Sequence, residues 1–180
     1  MISEFKFFSE LNFFLKNNES FVVYKKPSHN KIVCHQGDVI SGQIDDIDNN
    51  KGFLFMPFDL NKDGYFLKPK ITTETKFHLK VNNKRTNEIS IKEFSSKKSS
   101  YIKFINETID NIHSSELEKV VCSSVFNVKL NSESCIEYFK KLIQLNHDAF
   151  CYLFYHPDIG VWIGASPEKL LNLNLSLIHI

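Results

Sequence analysis

The spacing of apolar residues changes within the first fifty positions. In residues 3–17 they recur every three or four positions, which predicts an amphipathic helix with Ser3 as its cap. Residues 21–24 and 31–34 are short β-branched and aromatic runs, and both are predicted strands. Residues 37–50 are polar, with glycine and aspartate, and are typical of a solvated loop. The beginning of the chain therefore predicts a helix, two strands and a loop.

The middle of the chain has a less regular pattern. Residues 52–58 are an apolar run that predicts a buried strand, and residues 61–85 mix turn residues with short strand candidates. Residues 94–100 are rich in serine and lysine, so we predict a flexible joint there. After this joint, isoleucines at helical steps predict a helix that ends near Ser114: Ile102, Ile105, Ile109 and Ile112.

In the last third of the chain, the apolar residues again follow well-defined helix and strand patterns. Residues 119–130 are rich in β-branched residues and predict a long strand. Residues 132–146 have the helical spacing, with Ser134 opening a capping box. Two apolar runs, 149–155 and 159–165, are separated by three turn-forming residues and predict a hairpin. The order of strand, helix and hairpin predicts a mixed α/β class, with α+β sheets rather than a regular βαβ series.

Composition and charge exclude several classes of partner. The 180 residues are 42% hydrophobic, which is enough for a core, and 22 basic against 21 acidic residues give a net charge of +1. This balance disfavours nucleic acid and anionic membranes as partners. The sequence has no secretory signal and no apolar run of about 18 residues, so we predict a cytoplasmic protein with no membrane partner.

The cysteines and histidines show no pattern of a metal or nucleophile site. The four cysteines match no zinc or redox spacing, so we expect reduced thiols. None of the seven histidines stands at a telling distance from a cysteine or serine, and we interpret all seven as structural or surface residues. No metal ligand is therefore predicted within these residues.

Two short segments combine residue types in a way that indicates chemistry. The first, residues 117–121 (LEKVV), places Lys119 at the start of a strongly apolar run. The second, residues 164–168 (GASPE), ends a predicted hairpin strand in three small residues, followed by a proline that fixes the backbone and then by Glu168. Small residues allow a ligand or another backbone to approach closely.

Together these segments resemble the chorismate-binding enzymes, which include isochorismate, salicylate, anthranilate and aminodeoxychorismate synthases. The GASPE run is similar to the most recognisable motif in this half of the family, and the KVV of residues 119–121 is similar to the matching upstream motif. The distance of 49 residues from Lys119 to Glu168 suits the family. The resemblance covers residues 117–171 and implies a partial α/β fold of the anthranilate synthase component I type.

The resemblance and the end of the sequence together divide the chain into three parts. Residues 1–100 correspond to the variable amino-terminal region of the fold, and residues 101–174 to the start of its catalytic region. Residues 175–180 (LSLIHI) are what the end of a transposase-based sequencing adapter encodes, so we expect a non-native tail. Because family members are longer, we expect a truncated chain that forms no isochorismate alone, and a monomer when full length.

The resemblance also implies roles for five residues. Isochorismate synthase adds water at C2 of chorismate while the C4 hydroxyl leaves, which needs a base on one side and an acid on the other. Lys119 would be the base that activates water, and Glu168 the acid that protonates the departing hydroxyl. Both side chains then need surroundings, such as burial, that disfavour their charged forms. Gly164, Ala165 and Ser166 would contact the substrate.

A magnesium ion is the cofactor that the resemblance implies. Mg²⁺ would neutralise and orient a carboxylate of chorismate. Its glutamate ligands are expected in the part of the fold that follows this chain.

The lysine favours one activity within the family. Ammonia-using members typically have glutamine at the position that resembles Lys119, so lysine favours water as the nucleophile. The sequence therefore predicts isochorismate synthase, an isomerase that feeds menaquinone or siderophore synthesis. Salicylate synthase, which also eliminates pyruvate, and the anthranilate and aminodeoxychorismate synthases are the alternatives within the family. A non-catalytic α/β binding module is the alternative of another class.

Overall fold

The computed structural model describes five stretches of the chain and shows two compact units. One unit comprises residues 1–80 with 132–180, and the other comprises residues 81–131. Glu168 and the predicted tail lie outside the described residues. The described stretches are 1–43, 51–59, 61–78, 94–125 (backbone alone for 94–97) and 134–167.

The described residues form one helix, then four strands, two helices and a final pair of strands. The second unit contributes one helix, and the first contributes the others. In chain order they are α1 (Glu4–Lys16), β1 (Phe21–Lys25), β2 (Lys31–Gly42), β3 (Phe53–Phe55), β4 (Gly64–Lys76), α2 (Phe94–Ser114), α3 (Cys135–Leu145), β5 (Phe150–His156) and β6 (Gly160–Ser166). The predicted mixed α/β class is therefore confirmed, and so are the helix near the start, the helix after residue 132 and the final hairpin.

The six described strands form one antiparallel sheet in the order β3-β4-β2-β1-β5-β6. The sheet is strongly curled. Phe55 on the first strand of this order and Trp162 on the last have ring centroids only 5.5 Å apart. The two ends of the sheet therefore approach each other over one face, which we call the concave face.

Helices α1 and α3 cover the opposite face of the sheet. Each begins at a serine whose hydroxyl accepts a backbone N–H, Ser3 from Lys6 at 3.3 Å and Ser134 from Glu137 at 3.4 Å. Their apolar stripes meet the side chains that alternate strand residues place on this face. Full burial of each large apolar side chain stabilises the fold by roughly 1.5–3 kcal/mol. The fully buried members of this core include Phe7, Leu11, Phe21, Val23, Ile32, Phe139, Ile143 and Leu153.

A lysine is also buried on the helix-covered side. Lys25 has no exposed surface, and its Nζ donates to the carbonyl oxygens of His147 at 2.6 Å, Lys26 at 3.2 Å and Ala149 at 3.4 Å. Burial lowers the pKa of Lys25, while Cys151 and Asp148 act in the opposite direction. The ammonium therefore ties the loop after α3 to the end of β1.

Aromatic residues fill the concave face. Val22, Leu67 and Phe154 are its buried centre. The rings around them contact one another from strand to strand, with Phe55 and Phe154 centroids 5.2 Å apart and Phe53 and Phe154 centroids 5.9 Å apart. The curl of the sheet thus buries apolar area on the face opposite to α1 and α3.

Strands β2 and β4 are much longer than predicted. Residues 37–42, predicted as loop, continue β2, and β4 is a single strand where short strands and turns were expected. The two strands pair from Lys31 to Gly42, with an irregularity between Gln36 and Gly37. At Gly37 a Cβ would clash with the carbonyl oxygen of Lys68, so glycine is required there. Pairing with a neighbour, rather than local apolar content, keeps this polar stretch extended.

The second unit differs from the prediction in two places. The flexible joint predicted at residues 94–100 is wrong, because α2 begins at Phe94. Serine and lysine are tolerated on an exposed helix face, so composition alone did not exclude a helix. The predicted strand is wrong over residues 119–125, which form neither helix nor strand, while 126–130 lie outside the described residues. A β-branched run becomes a strand only beside a pairing partner, and the described part of this unit offers none.

Among the described helices, none combines the length and the apolar content that a membrane crossing requires. The four cysteines carry free thiols. Cys34 and Cys151 lie inside the core, and burial raises the pKa of each, so both thiols are held in the protonated form.

Candidate active site

Lys119 lies in the second unit, shortly after α2. Its side chain is exposed. The three residues that follow it lie along the apolar side of α2 and line a groove with Ile105, Ile109 and Ile112. Within this contact the Cys122 thiol lies 3.8 Å from Thr108 Oγ1. The expectation that Lys119 begins an apolar strand is therefore wrong. Its pairing with Glu168 stays a prediction, because Glu168 lies outside the described residues.

Gly164, Ala165 and Ser166 lie at the end of β6, in the first unit. Residues directly opposite each other in an antiparallel pair share a face of the sheet. Gly164 is opposite Tyr152 and Ser166 is opposite Phe150, whereas Ala165 is opposite the buried Cys151. Gly164 and Ser166 thus belong to the concave face and Ala165 to the helix-covered face. The structure brings two of the three predicted substrate contacts to one surface and separates the third from them.

Gly164 leaves space for an aromatic ring. A Cβ at this position would lie 2.6, 2.8 and 2.9 Å from Cε1, Cζ and Oη of Tyr152. Such distances are too short for carbon and oxygen atoms, so the Tyr152 ring occupies the place of a side chain at 164. Burial raises the pKa of Tyr152. Glycine at this position therefore has a packing role that the motif alone did not indicate.

The row of rings next to Ser166 leads to the centre of the sheet. Phe150, opposite Ser166, stacks with Tyr24 at a centroid distance of 5.8 Å. Tyr24 Oη lies 3.2 Å from His35 Nε2, and His35 Nδ1 lies 2.9 Å from Thr72 Oγ1. These three polar residues come from β1, β2 and β4 and lie side by side on the concave face. We refer to Tyr24, His35 and Thr72 as the polar triad.

Burial sets the ionisation of the triad. It raises the pKa of Tyr24, with Lys31 lowering and Glu74 raising it to a smaller extent. It lowers the pKa of His35, and the carboxylate of Glu74 opposes that change. Both groups are therefore held in their neutral forms at neutral pH. Lys31 and Glu74 themselves form an ion pair of 2.6 Å.

Sequence reasoning missed the polar triad. His35 was interpreted only as a structural or surface residue. Alternation along β1 and β2 could have placed each side chain on a face, but the pairing of β2 with β4 joins residues 37 positions apart and has no local signal.

Within the described residues, His, Cys, Asp and Glu side chains do not come together in any group of three or more that could hold a metal ion. The magnesium site that the resemblance implies, with its ligands in the part of the fold that follows this chain, stays a prediction.

Comparison with protein families identifies the class of this chain. A family model described as chorismate binding enzyme matches residues 60–180. The match covers more than half of the chain and includes both sequence motifs, residues 119–121 and 164–168. The chain therefore belongs to the chorismate binding enzyme family. No curated protein and no solved structure matched it.

The family assignment confirms the resemblance at the level of the family. Its members are generally enzymes, and chorismate is the small molecule that the family binds. The particular activity within the family and the anthranilate synthase component I type of fold stay predictions.

Proposed function

We propose that this protein is an isochorismate synthase, a cytoplasmic isomerase that converts chorismate to isochorismate and supplies menaquinone or siderophore synthesis. Membership of the chorismate binding enzyme family supports chorismate as the substrate. The observation that carries the choice within the family is Lys119, at the position where the sequence of an ammonia-using member typically has glutamine. A monomer is proposed as the working state.

The proposed chemistry needs one base and one acid. Lys119 takes a proton from water as the water oxygen forms its bond to C2 of chorismate. The ring double bond shifts and the C4–O bond breaks, and Glu168 gives its proton to the leaving hydroxyl, which departs as water. One water enters and one leaves, so the product is an isomer of the substrate.

The concave face supports a substrate role for the GASPE segment. Ser166 lies on this face, in the row that contains Phe150 and leads to Tyr24. Its hydroxyl can both donate and accept a hydrogen bond, as the hydroxyl and carboxylate groups of chorismate require. Ala165 belongs to the other face and the Tyr152 ring packs against Gly164, so we assign substrate contact to Ser166 before Gly164 and Ala165.

Mg²⁺ is proposed as the cofactor, and when bound it would supply positive charge to a chorismate carboxylate. Its ligands are proposed to be residues other than those the structure describes.

The test is product analysis with chorismate and Mg²⁺, using the protein as its gene encodes it. We expect isochorismate as the product. Lys119→Gln is expected to lower kcat by about 10²–10⁴, the usual contribution of a positioned base. Lys98→Gln is the matched control, because Lys98 is also exposed and lies in the same unit. The control should keep full activity.

Four outcomes would contradict the proposal in different ways. Salicylate with pyruvate would indicate a salicylate synthase. An aminated product formed only with an ammonia source would indicate an anthranilate or aminodeoxychorismate synthase. Saturable binding of chorismate without turnover would indicate a binding module. Unchanged activity in Lys119→Gln would remove Lys119 from the mechanism while leaving the reaction itself in place.

A further inference from the structure

A groove opens on the first unit beside the polar triad. Its volume is about 360 Å³, which is within the range of small-molecule sites. Three strands and the turn between β1 and β2 contribute to its wall. The lining residues are Tyr24, Lys26, His29, Lys31, Val33, His35, Thr72 and Glu74.

The charged side chains of this groove give an excess of positive charge. Lys31 and Glu74 neutralise each other in their 2.6 Å ion pair. Lys26 then remains as a second ammonium, and the imidazoles of His29 and His35 carry no full charge when neutral. A negatively charged ligand would therefore be attracted to the groove, and more strongly when an imidazole is protonated.

The hydrogen bonds within the triad leave a donor available in every protonation state. Neutral His35 has one N–H and one bare nitrogen. If Nε2 accepts from Tyr24, then Nδ1–H donates to Thr72, and the Thr72 hydroxyl proton is left to donate elsewhere. If Nδ1 accepts from Thr72, then Nε2–H donates to Tyr24, and the Tyr24 hydroxyl proton is left over. The triad therefore offers one donor as either tautomer.

Protonation of His35 changes the number of free hydrogen-bond donors in the triad. Both ring nitrogens then donate, so both hydroxyl protons are released from the triad. The triad gains a second free donor and a positive charge in one step. An acceptor with negative charge fits this second state better than the first.

We propose that this groove binds a small oxyanion, such as the carboxylate of an organic acid or a sulfate-like group, through the hydroxyls of Tyr24 and Thr72 and the charge of Lys26 and His35. The proposal does not depend on the reaction at Lys119 and Glu168. It assigns a second ligand site to the chain, on residues for which the family motifs specify no role.

The proposal implies that affinity rises as the pH falls. Without ligand, burial holds the pKa of His35 below its ordinary value, and Glu74 partly offsets this. A bound anion favours the imidazolium, so it must raise that pKa, and by linkage protonation must strengthen anion binding. The titratable and charged groups that line the groove with His35 are Tyr24, Lys26, His29, Lys31 and Glu74.

The site can be tested by calorimetric titration of the 180-residue chain with benzoate and with sulfate, each at pH 5.5 and pH 8.0. Both probes keep a constant charge over this range, so a change in affinity reports on the protein. We expect saturable binding that is about tenfold tighter at the lower pH, because protonation of His35 adds a positive charge and a free donor to the groove. Tight binding of benzoate alone would identify a carboxylate site, and equal binding of sulfate a general oxyanion site.

Variants identify the group that is responsible. His35→Gln should remove the pH dependence, and Thr72→Val, a change at an exposed strand position, should weaken binding several-fold at both pH values. His113→Gln, on α2, is the matched control and should behave as the wild type. The proposal would be overturned if the wild type showed no saturable binding or bound with the same affinity at both pH values. It would also be overturned if the pH dependence survived in His35→Gln and disappeared in His29→Gln.

Discussion

Replacement of Gly164 by alanine tests whether this glycine is required by the ring beside it. The new Cβ would lie 2.6–2.9 Å from three atoms of Tyr152. The ring has little room to move, because its centroid lies 6.1–6.3 Å from those of Phe53, Phe55 and Phe150. Inserting an extra carbon into such a packed site costs about 1–3 kcal/mol. We expect Gly164→Ala to lower the free energy of unfolding by that amount.

The assay is a double-mutant cycle measured by urea unfolding. In a Tyr152→Ala background the obstructing ring is gone, so adding Gly164→Ala should cost less than about 0.5 kcal/mol. Alanine even favours a strand slightly over glycine once space is available. The coupling energy between the two positions should therefore account for most of the cost of Gly164→Ala alone.

Gly160 is the matched control. It lies at the other end of β6, has a φ of +73°, and a Cβ there would meet no atom within 4 Å. Gly160→Ala should lower the free energy of unfolding by about 1–2 kcal/mol through backbone strain alone. This cost should be the same with and without the Tyr152 ring. If Gly164→Ala also costs the same in both backgrounds, or if it stabilises the wild type, the packing explanation is wrong.

Two further predictions follow from side chains outside the candidate active site. Lys25→Met should lower the free energy of unfolding by about 1–3 kcal/mol, because three carbonyl oxygens lose their donor. The pKa of Lys25 is lower in the folded chain, so the unfolded chain holds this proton more tightly. The contribution of Lys25 to the free energy of unfolding should therefore increase as the pH rises toward 10.5. Urea unfolding at several pH values should show this increase in the wild type and not in the variant. Ser134→Ala should lower the free energy of unfolding, measured by heat or urea, by about 1 kcal/mol through loss of the α3 cap. Ser9→Ala, an exposed change inside α1, should cost nothing. Equal effects of the two changes would contradict a capping role.

The parts of the fold that were predictable are those determined by nearby residues. Helix α3 has its cap, its apolar stripe and its end within one short segment, and the β5–β6 hairpin has its turn between two apolar runs. The full length of β2 depends instead on β4, which lies far away in the sequence, so polar residues such as Gln36 and Asp38 gave no strand signal.

In the candidate site, too, some features depend on nearby residues and others on distant ones. The motifs around Lys119 and Gly164 are local and could be read from the sequence. Which face each residue of the GASPE segment occupies depends on its pairing with β5, and the approach of His35 to Tyr24 and Thr72 depends on the order of strands in the sheet. A motif specifies residue types, whereas the sheet decides which of them share a surface.

The position of β1 has a consequence for how this protein can be divided. The family match starts at residue 60, yet β1 and β2 precede that residue and join β4 on one side to β5 on the other. A chain that began at residue 60 would keep β4 and the β5–β6 hairpin without the strands that connect them, and would present open strand edges to other chains. Autonomous folding therefore requires the amino-terminal segment, and shortened versions of this protein should self-associate through those edges.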